Sequence, residues 1–144
     1  MAHATMTAFG YPHALIAEYE HWTVQLRPQQ ATLGALVLIA KAEVTAFADL
    51  PDAAFVQQAA VVRSIERALG AAIGYDRINY LMLMMRDPHV HYHVLPRHAE
   101  PRTFDGIACP DPGWPGPPDL SHAAELPADT WDRLRAQLLS AWPA

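Results

Sequence analysis

Three histidines, His89, His91 and His93, alternate with Val90, Tyr92 and Val94 in the run HVHYHVL. An imidazole has an unperturbed pKa near 6.5, so near neutral pH it can exchange protons, attack an electrophile or bind a metal. In an extended strand, residues i, i+2 and i+4 share one face. The alternation therefore predicts a row of three imidazoles on one side, with Val90, Tyr92 and Val94 turned into a core. An isolated histidine is ordinarily just a satisfied or solvated side chain, and that reading suffices for His3, His13 and His122. Strict alternation of three calls for more.

Two chemistries fit such a row. Neighbours on one face start from Cα atoms roughly 6.6 Å apart and the outer pair roughly 13 Å apart, whereas zinc–nitrogen bonds are only about 2.0–2.1 Å long. A metal would thus use two of the histidines plus a distant ligand such as His98, Glu100 or Asp105. The other chemistry is nucleophilic. An imidazole nitrogen can attack phosphorus to give a phosphoramidate-type intermediate that water then hydrolyses. His91 is the best-placed nucleophile, because one neighbour can fix its tautomer and the other can stabilise charge or pass a proton.

The elements that must hold this row are legible in outline. Short strands are expected at Leu15–Glu18 and Trp22–Leu26, and a strand apolar on both faces at Gly34–Ala40. After the start signal Asp49-Leu50-Pro51-Asp52, a helix is expected over Ala53–Ala72, with Phe55, Ala59, Val62, Ile65, Leu69 and Ala72 on its inner stripe and Gly70 and Gly74 at its end. Strands at Arg77–Met85 and His89–Leu95 are expected to form an antiparallel hairpin about Arg86-Asp87-Pro88. From Pro96 the chain turns proline-rich and irregular, and a last helix is expected at Ala128–Ala141 with Trp131, Leu134 and Leu138 inward. Met82, Met84 and Met85 read as core filler. Trp114, in the proline-rich loop, reads as packing or as a surface for stacking.

At 144 residues, with 51% hydrophobic and 17% charged residues, the chain is about one globular domain. Cys109 is the only cysteine, which excludes a disulfide scaffold within the chain. A net charge of −5 with no basic stripe argues against long nucleic acid as a partner, while leaving room for a small anion in a local pocket. The longest apolar run, Leu33 to Ala40, is far short of a membrane span, and Met1 to His13 has no basic start to a secretory signal. A cytoplasmic protein with no membrane partner is expected.

The segment His89-Val90-His91-Tyr92-His93-Val94-Leu95-Pro96-Arg97 resembles the signature of the histidine triad (HIT) superfamily, nearest in motif to its fragile-histidine-triad and diadenosine polyphosphate hydrolase branches. Leu15 to Trp22 is similar to that family's first hairpin, and Gly34 to Lys41 to its Gly-His-x-Leu-Val-x-Pro-Lys strand. The resemblance implies an α+β fold: an antiparallel sheet of about five strands, one main helix and a C-terminal helix. A HIT-like domain over residues 8–104 would be followed by a proline-rich loop and helix over 105–144, packed on the same domain. It also implies that His91 takes up a nucleotidyl group from an α-phosphate, that His89 orders the site, and that His93 contacts the phosphate and handles protons. Substrates of that class are nucleoside phosphoramidates, dinucleoside polyphosphates and related conjugates. No cofactor is required, and the usual state is a homodimer.

Around the triad the sequence departs from that pattern. Ala35 stands where the family strand carries a histidine. Arg27 stands where an Asp or Asn would accept from ribose hydroxyls; arginine only donates, so a phosphate contact is expected instead. Met84 to Pro88 replaces a longer glycine-containing loop, and Arg86 there can restore positive charge. Asn79 and Arg97 complete the expected substrate-binding set. Two other readings stay open: a nucleotide-binding dimeric module with little turnover, and a histidine-based metal-binding protein.

Overall fold

The computed structural model describes residues 2–143. Five strands, β1 (Leu15–Glu18), β2 (Trp22–Leu26), β3 (Leu36–Ala40), β4 (Arg77–Leu81) and β5 (His91–Arg97), form an antiparallel sheet in the order β1-β2-β3-β5-β4. A small hairpin pairs β6 (Arg102–Phe104) with β7 (Ile107–Cys109). The helices are α1 (Ala4–Ala8), α2 (Asp52–Ala72) and α3 (Ala128–Ala141). This is the expected α+β architecture. Neither α1 nor the β6–β7 hairpin is foreshadowed by a periodic pattern, since one turn of helix and three-residue strands are too short to show one.

Every residue of β2 and β3 is buried, because both faces of the sheet are covered there. On one face Trp22, Val24, Leu36 and Leu38 join Val61, Ile65 and Leu69 of α2 and Leu134 and Leu138 of α3 in the main core. On the other face Met6 of α1 packs on Val37 and Ile39. Gln25 pins α1 there, its amide donating to the carbonyls of Met6 and Phe9 at 3.1 and 2.9 Å. No helix among the described residues is long and apolar enough to cross a membrane.

Two expected elements need correction. The buried stripe of α2 is Ala54, Val61, Ile65, Ala68 and Leu69, not one running through Phe55 and Ala59, which face solvent. Phe55 lies instead against Phe47, their ring centroids 5.5 Å apart. Gly70 lies inside the helix, and the turn that ends it is at Gly74, where φ is +76° and the N–H reaches Leu69 O at 2.8 Å. Strand β3 begins two residues later than expected. Gly34 makes the bend at φ +92°, where a Cβ would lie 2.7 Å from Ile73 Cδ1.

The larger correction concerns the triad. Strand β5 begins at His91, so His89 and Val90 lie outside it, and β4 stops at Leu81. The Val90 N–H donates to Val44 O at 3.2 Å, and Val90 O accepts from Ala40 N–H at 3.0 Å. The second bond continues the contact with the end of β3, and the first ties the other side of the chain to Val44, outside the sheet. Strands β4 and β5 are antiparallel as expected, but nine residues, 82–90, join them.

Candidate active site

His91 and His93 stand side by side on the α1 face of β5, opposite Ile39 and Val37 of β3. Their ring centroids are 5.2 Å apart and nearly perpendicular. His91 is 2% exposed, and its Nδ1 donates to the backbone carbonyl of His89 at 2.7 Å. A carbonyl can only accept, so this bond puts the proton on Nδ1 and leaves the Nε2 lone pair free in the neutral ring. That tautomer is the one an attacking imidazole needs.

His93 is also buried, and its Nδ1 has no hydrogen-bond partner among the described residues. Burial, the neighbouring Arg27 guanidinium and His91 together hold its pKa down to about 4. The ring is therefore neutral at physiological pH, and the fixed positive charge beside the pair belongs to Arg27. Arg27 is anchored by its Nη1, which donates to Gln29 O at 2.7 Å, while its buried Nε has no partner among the described residues. Burial lowers the guanidinium pKa from its usual range.

A cleft of about 450 Å³ lies over the histidine pair, lined also by Phe9, Arg27, Gln29, Met84, Met85 and Arg86. A smaller cleft of about 230 Å³ adjoins it, sharing Phe9, Arg27 and Gln29 and adding Ala8 and Pro28. Phe9 sits 5.7 Å from both imidazoles by ring centroid. Of the residues expected to bind substrate, Arg27 and Arg86 are thus brought to the pair. Met82 and Met84 pack against the core as expected, Met84 also reaching the cleft, whereas Met85 lines the cleft at 83% exposed. Ala35 is packed with Ala31 and Leu95, so an apolar contact occupies the place of a fourth histidine.

Asn79 and Arg97 are not brought there. They line a separate cleft of about 520 Å³ with Arg77 and Trp114. Arg97 is committed to a bidentate ion pair, donating from Nε and Nη2 to the Asp111 carboxylate at 2.7 and 3.1 Å and from Nη1 to Asn79 Oδ1 at 2.8 Å. The strand pattern puts Arg97 on the triad face but does not reveal that Asp111 waits beside it. His89 also departs from the row: its ring stacks on His3, centroids 4.1 Å apart, and its Nδ1 is hydrogen-bonded to Thr5 Oγ1 at 2.8 Å.

Among the described residues no three His, Cys, Asp or Glu side chains converge as a metal-ligand set. His98, a candidate third ligand by sequence, is buried with Nε2 donating to Leu33 O at 3.0 Å. Cys109 is buried and its thiol pKa is pushed up by burial, so it is poorly placed to supply a thiolate. Phe9, Gln29, His3 and Thr5 were missed in the sequence because no local spacing ties them to residues as far as 84 positions away.

The HIT domain family model matches residues 11–100. Among solved structures, the chain is similar to a histidine triad (HIT) protein from Sinorhizobium meliloti, with a TM-score of 0.75 at 19% identity, covering 98% of this chain and 96% of that one. A histidine triad protein from Bradyrhizobium japonicum gives 0.76 at 16% identity, covering 99% and 98%. A zinc-bound histidine triad family protein from Mycobacterium smegmatis gives 0.58 at 24% identity, covering 88% and 84%. No curated protein matches the chain. With the family model spanning most of the sequence and the paired histidines on the matching strand, this chain belongs to the HIT family.

Proposed function

We propose that this protein is a nucleotide hydrolase or nucleotidyl transferase acting at the α-phosphate of a nucleoside phosphoramidate, a dinucleoside polyphosphate or a related nucleotide conjugate. The observation that carries the reading is the 2.7 Å bond from His91 Nδ1 to the His89 carbonyl, which frees Nε2 for attack. In the first step a bond forms from Nε2 to phosphorus while the bond from phosphorus to the leaving oxygen or nitrogen breaks. The leaving group departs with that electron pair and takes up a proton from water. In the second step water attacks phosphorus and gives up a proton to solvent, while the P–Nε2 bond breaks and its electrons return to His91; in transfer, another acceptor replaces the water. Arg27 and Arg86 supply the positive charge that the phosphate oxygens meet.

The protein works on a small nucleotide, without a required cofactor, in the cytoplasm and as a homodimer. In support of a dimer, β4 ends the sheet with one unpaired edge, and Leu83 and Met85 are exposed just beyond it. Sedimentation is expected to give twice the 15.9 kDa chain mass. The test of the chemistry is incubation with a panel of adenine and guanine phosphoramidates and dinucleoside polyphosphates, quenched in time for mass spectrometry. The expected result is one nucleotidyl group on the peptide that contains His91, absent from His91→Ala. Tight nucleotide binding with neither adduct nor turnover would overturn it in favour of a binding module.

A further inference from the structure

The carbonyl that fixes the tautomer of His91 belongs to His89, which is outside the sheet ladder. The Val90 N–H of that same peptide donates to Val44 O at 3.2 Å, and the His89 side chain supplies the second restraint. The His89 ring is gripped twice, by the Thr5 hydroxyl at 2.8 Å and by the face of His3 at 4.1 Å between centroids, with an interplanar angle of 19°. His3 is itself immobilised. Its Nδ1 accepts from Met6 N–H at 3.4 Å, so its proton is on Nε2, which donates to Ala40 O at 2.7 Å. Ala40 then returns to the same segment, its N–H donating to Val90 O at 3.0 Å. The contacts close a ring through α1, the end of β3 and the turn into β5. His3 and Thr5 also lie outside the stretch matched by the HIT domain model.

We propose that Thr5 and His3 are positioning residues for His91, acting through His89: they hold the His89 carbonyl where it receives the His91 Nδ1 proton and so keep Nε2 unprotonated. Neither touches the cleft over the histidine pair, whose lining includes Phe9 from the same N-terminal segment. The N-terminal segment is therefore part of the catalytic apparatus without contacting substrate. The inference rests on the reading of His91 as the nucleophile for its effect on rate. Its effect on the tautomer does not depend on any substrate.

The test uses the full chain with ¹⁵N-labelled histidine, and the variants Thr5→Val, Thr5→Ser, His89→Ala and the double variant Thr5→Val/His89→Ala. In the parent protein the His91 ring should show a protonated Nδ1 and an unprotonated Nε2. In Thr5→Val the ring is expected to show a mixture of both tautomers, with Thr5→Ser restoring the single one. On a turned-over nucleotide, kcat for Thr5→Val should fall about tenfold, the worth of one buried hydrogen bond, with KM within twofold. Because Thr5 acts only through His89, the double variant should be no worse than His89→Ala alone. Far-ultraviolet circular dichroism identifies any variant that fails to fold, and Thr5→Ser, which keeps the hydroxyl, is the folded comparator.

An unchanged His91 tautomer in folded Thr5→Val, or full additivity in the double variant, would overturn the inference. If the parent protein forms no adduct with any nucleotide, the proposed reaction fails while the tautomer measurement still decides the positioning role.

Discussion

His89 and His91 are two residues apart and both turn towards α1, but only the ring of His91 lines the cleft; the ring of His89 is taken up by Thr5 and His3. What His89 gives the site is its carbonyl, accepting the Nδ1 proton of His91 at 2.7 Å. The motif is therefore arranged as a pair of imidazoles with a backbone acceptor. This explains why strand geometry alone misplaces the first histidine.

Replacing His91 with asparagine removes the only nitrogen aligned by that carbonyl. Turnover is expected to fall at least about 10³-fold, since no other side chain in the cleft offers a free lone pair with a fixed tautomer. Steady-state kinetics on the best substrate of the panel, beside a thermal melt to show that the variant is folded, measures this.

Acidification should weaken the fold. His93 titrates near 4 in the folded chain and near 6.5 once unfolded, so between these values only the unfolded chain gains the proton. Its contribution is intact above about pH 6.5, declines as the pH falls towards 4 and is constant below that, a loss on the order of 3 kcal/mol. Burial lowers the pKa of His3 and His98 as well, and both act in the same direction. Urea midpoints from pH 7.5 to pH 4 should fall, and His93→Gln should make the decline shallower.

Arg27→Gln removes one of the charges that hold His93 neutral. Nuclear magnetic resonance titration should show the His93 pKa rising part of the way from about 4 towards 6.5, because the larger cause, burial, persists. Phosphate or nucleoside monophosphate binding to the same variant, followed by calorimetry, should weaken about tenfold. An unchanged affinity would place the anion elsewhere.

Asp111→Asn separates fold from function at the second cleft. It leaves the Arg97 guanidinium buried without its carboxylate, and breaking a buried pair in this way costs about 3–5 kcal/mol. Chemical denaturation should record that loss. The folded fraction should keep its kcat, since Arg97 lines a different cleft from His91 and His93 and Asp111 lines neither.

Gly34→Ala tests the bend that starts β3. The residue has φ +92°, and a Cβ would meet Ile73 Cδ1 at 2.7 Å and Pro96 Cγ at 3.2 Å. Backbone strain and crowding together should destabilise the fold by about 2–4 kcal/mol, read as a lower denaturation midpoint.

The linear order of types was enough to determine much of this molecule. Alternation in HVHYHVL marked the histidine-bearing strand, and its phase correctly put Tyr92 and Val94 on the face opposite His91 and His93. Helix α3 and strands β1 and β2 have the expected limits, because punctuation by proline and glycine acts on the nearest few residues. The α2 stripe was placed correctly at Ile65, Leu69 and Ala72 but misphased at Phe55 and Ala59, because alanine and valine are spread around the first turns and do not single out one face.

Only the tertiary structure decided which polar groups meet. Arg27 and His93 are 66 positions apart and share a low-dielectric corner. Arg97 is claimed by Asp111, and His89 is drawn from the strand by Thr5 and His3. Each of these depends on long-range geometry and desolvation, which no local periodicity encodes. The sequence by itself determined that imidazole chemistry is available on one strand. Packing from α1 and β2 decided which imidazole keeps a free lone pair, which stays neutral and which becomes a structural support.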